Sequence, residues 1–202
     1  MVNVVETKDK IADILKANNG ILKASDARLA GIYNKELQRM TEAGLLERIS
    51  RGLYISASNI PDDYLLAQYK CGKGVFSHET ALYFHGLSDR TPLVLMMTIP
   101  SGYNTRLLKD KISYRFFYCK SDVYSLGITT LLSPHGNALR VYDRERTLCD
   151  CIKRKDSLDS DLVLTAVKQY MSESGADLAK LLSCAEMLKI RDTLRQYMEV
   201  LV

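Results

Sequence analysis

The N-terminal sixty residues contain three short helical patterns followed by two strand-like segments, and this order constrains the fold more than any other sequence feature. Ile11, Ile14 and Leu15 share one helical face, and the turn residues of "NNG" end that helix. A second helix lies in "LKASDARLAGI", and a third runs from about Asn34, expected as its N-cap, to Gly44. Two helices joined by a short glycine-containing turn outline a helix-turn-helix.

The third helix is followed by "LLERIS" and "LYIS", with Arg51 and Gly52 between them. Glycine permits a tight turn, so these segments predict a β-hairpin with a basic tip. Three helices and a basic hairpin predict a winged helix-turn-helix, whose third helix enters the major groove of DNA. The candidate DNA-contacting residues lie on the second helix, the third helix and the hairpin: Lys23, Ser25, Arg28, Lys35, Gln38, Arg39, Arg48 and Arg51.

Two other interpretations of these residues stay open. A polar helix face with a few cations is usually a solvated face, and winged helices also serve as protein-interaction modules. The formal net charge of +4 permits an acidic partner but does not identify one. Glu42 would oppose phosphate binding, although it lies near the end of the third helix, away from the bases. The complete order of elements favours DNA binding.

The segment "SASNIPDD" has the composition of a linker and predicts a domain boundary near Pro61. A helix is expected from about Asp63 to Cys71, and strands at "LVLMMTIP", "KISYRFFYCK", "GITTLLS" and "ALRVYD". Four helical segments follow: "DRERTLCDCIKR", "DLVLTAVKQYM", "ADLAKLLSCAEML" and "RDTLRQYMEVLV". The predicted fold class is α+β, with a winged helix-turn-helix in residues 1–60 and a mixed α/β domain in residues 61–202.

The stretch "FSHETALYFHG" suggests a metal or acid/base site, because His78, Glu79 and His85 lie within two helical turns. Histidines seven residues apart on a helix are separated by about 10 Å along its axis, too far to share one ion. We therefore expect no metal and no cofactor. Helix-end chemistry explains the motif instead, with Ser77 as N-cap, Glu79 in the first turn and Gly86 after the last.

The stretch "VYDRERTLCDC" raises the same question, because Asp143, Glu145, Arg146 and Asp150 could form an acid/base or phosphate-handling cluster. Structural roles are favoured, since helix N-termini attract carboxylates for electrostatic reasons alone. Asp143 suits an N-cap and Glu145 the first turn. We also consider an ion pair between Arg146 and Glu79 that would join the two motif helices.

Cysteine usage and the N-terminus indicate a cytoplasmic protein. Five cysteines without a C-x-x-C pair are expected to be reduced and mostly buried. The segment "MVNVVETKDKIADILK" lacks the pattern of a signal peptide, and the longest apolar runs are of strand length. No association with membranes is predicted.

The winged-helix ending "LLERISRGLYIS", with "FSHETALYFHGLSDRTP", "TIPSGYN" and "VYDRERTLCDCIKR", resembles the AbiEi antitoxins of type IV, abortive-infection toxin–antitoxin systems. The resemblance implies a phage-defence antitoxin that binds inverted repeats in promoter DNA and represses its own operon. It also implies a C-terminal antitoxin domain that counteracts a nucleotidyltransferase-like toxin without a stable complex. The signatures "SHETAL" and "ERTLCD" mark that domain, with no catalytic role implied for their residues.

Three functional hypotheses follow from the sequence. The leading one is a non-enzymatic autorepressor and antitoxin that acts on double-stranded DNA as a monomer or a weak dimer cooperating on two half-sites. The second is an enzyme whose C-terminal domain modifies the toxin or its nucleic-acid substrate through the Asp143 to Asp150 cluster. The third is an interaction module that binds the toxin directly.

Overall fold

The protein is described by a computed structural model covering residues 4–58, 62–105 and 113–201. The predicted boundary near Pro61, the first two residues of the predicted strand "KISYRFFYCK" and the last residue of the predicted final helix lie outside these ranges. The chain divides into two compact units, Met1–Asp62 and Asp63–Val202.

The N-terminal unit contains three helices and a three-stranded antiparallel sheet of order β1-β3-β2. Its elements in chain order are α1 (Val4–Ala17), β1 (Ile21–Lys23), α2 (Ala24–Leu29), α3 (Asn34–Glu42), β2 (Leu46–Ser50) and β3 (Leu53–Ser56). The sequence indicated the helices and the hairpin but not β1, which was absorbed into the second helical pattern. Asn34 is the first residue of α3 rather than its cap, because Tyr33 occupies the N-cap position.

The core of the N-terminal unit is formed by the apolar faces of its helices against the sheet. Leu22 of β1, Ala27 of α2 and Leu37 of α3 are fully buried in one cluster. The hairpin turns at Gly52, whose φ of 74° is accessible to glycine at little cost. The carbonyl of Gly52 accepts a 2.8 Å hydrogen bond from the amide of Ala24, which ties the hairpin to the start of α2.

The C-terminal unit combines a five-stranded mixed sheet of order β6-β5-β4-β8-β7 with a group of helices. Neighbours β5 and β6 are parallel, as are β4 and β8, and the other pairs are antiparallel. The elements are α4 (Asp63–Lys70), β4 (Val75–Phe76), α5 (His78–Phe84), β5 (Leu95–Pro100), β6 (Tyr114–Cys119), α6 (Ser121–Tyr124), β7 (Ile128–Leu132), β8 (Ala138–Tyr142), α7 (Arg144–Lys153), a 3₁₀ turn (Lys155–Ser157), α8 (Ser160–Ser172), α9 (Leu178–Met187) and α10 (Arg191–Leu201). The mixed α/β character predicted from the sequence is confirmed.

Helix α7 forms the centre of the C-terminal unit. All residues from Glu145 to Ile152 are buried, including the polar ones. The core cluster around it includes Val163 and Tyr170 of α8 and Leu181 of α9. Because α7 is enclosed on every side, its charged side chains must find partners inside the protein.

Candidate functional site

A groove on the N-terminal unit brings together four of the eight predicted DNA-contacting residues. Arg28 of α2, Gln38 of α3, and Arg48 and Arg51 of the hairpin all line it and are exposed. Tyr54 of β3 also lines this groove. The other four candidates do not line it: Lys23, which is half-buried, and Ser25, Lys35 and Arg39, which are exposed.

The charge in the groove is predominantly positive but includes one carboxylate. Glu42 lines the same groove as Arg48 and Arg51, although the sequence placed it away from the binding end of α3. Its Oε1 accepts a 2.9 Å hydrogen bond from Nε2 of Gln38, one helical turn earlier. Three arginines from α2 and the hairpin therefore face one carboxylate that is bonded to a neighbouring amide.

The signature residues of the C-terminal unit form two separate polar groups. In the first, the guanidinium of Arg146 is almost completely buried, and its Nε donates to Asp150 Oδ2 at 3.0 Å. Its Nη1 donates to the carbonyls of Val123 at 2.5 Å and Leu126 at 3.2 Å. The hypothesis that Arg146 pairs with Glu79 is wrong, because Asp150, one turn along the same helix, takes that position.

The second group links three helices around Lys180 of α9. Its Nζ lies 3.0 Å from Asp143 Oδ2 and 2.8 Å from Glu145 Oε2. The hydroxyl of Tyr170 donates to Glu145 Oε1 at 2.6 Å, and Asp143 caps α7 by accepting from the amide of Arg146. Burial acts to raise the pKa of Glu145, but hydrogen bonds from Lys180 and Tyr170 outweigh it and lower that pKa. Glu145 is therefore a bonded carboxylate that joins α7, α8 and α9.

The two histidines of "FSHETALYFHG" have different environments. His85, which caps the end of α5, has its Nε2 2.7 Å from the carbonyl oxygen of Tyr142. His78 is buried at the start of α5, and its ring stacks on Phe117 with 3.6 Å between centroids. Its Nδ1 lies 2.9 Å from Oγ of Ser77, which in turn accepts a hydrogen bond from Thr98. Because a hydroxyl can both donate and accept, Ser77 can bond Nδ1 in either neutral tautomer of His78, and Nε2 is the ring nitrogen left over.

The backbone of His78 adopts an uncommon conformation. Its φ is 52°, in the left-handed region that residues other than glycine seldom occupy. Asn and Asp tolerate this region better than most residues, and His is also enriched there. Such outliers persist only when the surroundings hold them, and they concentrate at functional sites.

Exchange of His78 for Asn is expected to reduce the pH dependence of the free energy of unfolding in the acidic range. Burial lowers the pKa of His78 to about 3, and Arg154, Arg115 and Arg146 act in the same direction. The unfolded chain therefore takes up a proton near pH 6.5 that the folded protein does not, so stability falls as the pH drops from about 6.5 toward about 3. Between pH 7 and pH 5 this loss amounts to about 2 kcal/mol.

The measurement is the free energy of unfolding by urea at both pH values. The wild type should lose about 2 kcal/mol more than His78→Asn over this interval. His135→Asn is the matched control, because His135 is exposed and should leave the pH dependence of the wild type unchanged. Equal pH dependence in the wild type and His78→Asn would show that His78 is accessible to protons in the folded protein.

Three general properties of the described residues bear on the class of protein. No group of three or more His, Cys, Asp or Glu side chains in the described ranges lies close enough to hold a metal ion. Of the helices in the described part of the chain, none is long and apolar enough to cross a membrane. The five cysteines are all free thiols, and four of them are buried.

These features define a class, namely a protein of two α/β units whose first unit presents an arginine-lined groove beside a short helix. Residues 9–57 match the family model described as "Transcriptional regulator, AbiEi antitoxin". The resemblance to AbiEi antitoxins is therefore confirmed over residues 9–57 of the N-terminal unit.

Two further comparisons concern the whole chain. A search of curated proteins gave no match. The fold is similar to the crystal structure of the RV2827C protein from Mycobacterium tuberculosis, with a TM-score of 0.61 and 13% sequence identity over 93% of this chain and 77% of that chain. At this identity the likeness concerns the fold alone.

Proposed function

We propose that the chain is the antitoxin and autorepressor of a type IV toxin–antitoxin operon, with DNA binding in the N-terminal unit. The observation that carries this proposal is the groove in which Arg28, Arg48 and Arg51 converge beside α3. The element order α1-β1-α2-α3-β2-β3 and the antiparallel sheet support the proposed winged helix-turn-helix. The family match over residues 9–57 supports the same assignment.

In this proposal the residues divide into base-reading and phosphate-binding sets. Helix α3 enters the major groove, where the exposed side chains of Lys35, Gln38 and Arg39 reach base edges. The phosphate-binding set comes from the other elements and fixes the orientation on the duplex: Lys23, Ser25, Arg28, Arg48 and Arg51. Inverted repeats in the promoter would be occupied by two copies, one on each half-site.

The C-terminal unit is proposed to supply antitoxicity without catalysis. Its signature carboxylates Asp143, Glu145 and Asp150 are bonded to Lys180 or Arg146, an arrangement suited to holding helices together. We assign the activity to counteracting a nucleotidyltransferase-like toxin in the cytoplasm, as part of phage defence, without a stable complex between the two proteins.

Binding to the DNA upstream of its own gene is expected to weaken about a thousandfold between 50 and 200 mM salt. Two copies of the protein with three groove arginines each would release about six counterions from the DNA. This number determines how steeply the affinity falls as the salt concentration rises. Fluorescence anisotropy with labelled promoter DNA measures it, and DNA of unrelated sequence serves as the control for specificity. Affinity that does not change with salt, or equal affinity for both DNAs, would contradict the proposal.

A further inference from the structure

A cavity of about 330 Å³ opens in the C-terminal unit, and it takes no part in the function proposed above. Buried side chains of His78 and Arg146 line it, together with Met187 and Leu188 at the end of α9. Its volume lies at the lower end of the range for small-molecule sites. Polar and apolar groups are both present, so the cavity suits a ligand with a charged end and an apolar body.

The buried part of the cavity presents a ring nitrogen of His78 that is bonded to no protein group. Nδ1 of His78 is engaged with Ser77, and one ring face is covered by Phe117. Nε2, the other ring nitrogen, makes no hydrogen bond to any residue in the described ranges. His78 is only 2% exposed and is held at a φ of 52° while lining the cavity. A ligand in the cavity can therefore form a hydrogen bond with this nitrogen without competing with a protein group.

Cations from three separate segments surround the opening. Lys120 precedes α6, Lys153 and Arg154 end α7, and Lys189 follows α9. The negative end of the α7 dipole explains Lys153 and Arg154 alone, but it does not explain why Lys120 and Lys189 lie at the same opening. Of these, Lys153 donates to the carbonyl of Leu188 at 3.0 Å.

The opposing negative charge is small. Asp150 also lines the cavity, but its Oδ2 is bonded to Arg146, which leaves Asp122 as the other carboxylate there. Within the described part of the chain, Lys120, Arg154 and Lys189 form no ion pair. The cavity therefore combines an unbonded imidazole nitrogen with an excess of cations, an environment that suits a phosphate group.

We infer that this cavity binds a phosphate monoester on a nucleoside-sized body, with Nε2 of His78 and the cations Lys153 and Arg154 around the phosphate. The base and ribose would lie against Met187 and Leu188. The same chemistry is offered by a free nucleoside monophosphate and by the 5′-phosphate at the end of an RNA strand.

Titration calorimetry of the full chain with adenosine 5′-monophosphate tests this assignment, with inorganic phosphate and adenosine as partial ligands. We expect the monophosphate to bind at least tenfold more tightly than either part, and to shift the ring signals of His78 in an NMR spectrum. A 5′-phosphorylated oligoribonucleotide that binds more tightly than the monophosphate would identify an RNA end as the source. Equal affinity for phosphate and the monophosphate would overturn the nucleoside part.

Exchange of both Lys153 and Arg154 for Gln should weaken binding of the monophosphate by about a hundredfold, since each charge-assisted bond contributes about tenfold. The matched control is Lys168→Gln, an exposed cation of α8 that does not line the cavity. The double variant Arg28→Glu/Arg51→Glu tests whether the monophosphate binds in the N-terminal groove instead. We expect this variant to leave the affinity for the monophosphate unchanged. Absence of binding by the folded wild type at millimolar ligand, or equal binding by the double variant, would overturn the inference.

Discussion

Reversal of charge at Arg28 and Arg51 together is expected to lower the affinity for promoter DNA by about a hundredfold or more. Arg28 belongs to α2 and Arg51 to the tip of the hairpin, and both line the groove beside α3. A glutamate at either position removes a phosphate contact and adds repulsion from the same phosphate. Because both side chains are exposed and outside the core, the fold should be retained.

Electrophoretic mobility shift at fixed salt measures this change, and a reporter gene behind the promoter measures the loss of repression. Lys8→Glu is the matched control, because it reverses an exposed cation of α1 that does not line the groove. Rescue of cells from the toxin should be the same in the double variant and the wild type. Loss of rescue in a folded double variant would contradict the assignment of DNA binding and antitoxicity to separate units.

The elements that the sequence predicted are those with local signals. Asp143 caps α7 and Gly86 ends α5, because capping depends on residues within one turn of the helix end. The strands β1 and β4 escaped prediction, since they contain three and two residues. These two segments form strands only by pairing: β1 pairs with β3, and β4 pairs with β5 and β8, which are distant in sequence.

The chemistry of the C-terminal unit was harder to predict for the same reason. The sequence singled out Arg146, but arginine is usually exposed, and nothing local indicates that carbonyls of α6 and of the turn after it accept hydrogen bonds from its guanidinium. The left-handed backbone of His78 likewise depends on its surroundings. No sequence pattern marks Lys120 or Lys189, because only the fold brings them to the same cavity as His78.

Arg146→Met is expected to destabilise the C-terminal unit by about 3–5 kcal/mol, the largest effect on stability predicted for this protein. The substitution keeps the volume of the side chain but removes the partner of Asp150, which is 7% exposed. It also leaves the carbonyls of Val123 and Leu126 without their donor. Urea unfolding followed by circular dichroism at 222 nm reports on this unit, which contains most of the helices.

Arg144→Met is the matched control, since Arg144 lies two residues earlier in the same helix but pairs with Glu173 at a partly exposed site. We expect this substitution to cost about 1 kcal/mol of stability.

Burial raises the pKa of Asp150, while Arg146 opposes that rise. Without Arg146 the pKa should rise further, so the folded variant binds a proton more readily than the unfolded chain. Its stability deficit should therefore shrink as the pH falls from 7 to 5, and Asp150→Asn in the same chain should recover part of it at pH 7. A deficit independent of pH would mean that Arg146 acts through packing and the carbonyls of Val123 and Leu126 rather than by compensating a buried carboxylate.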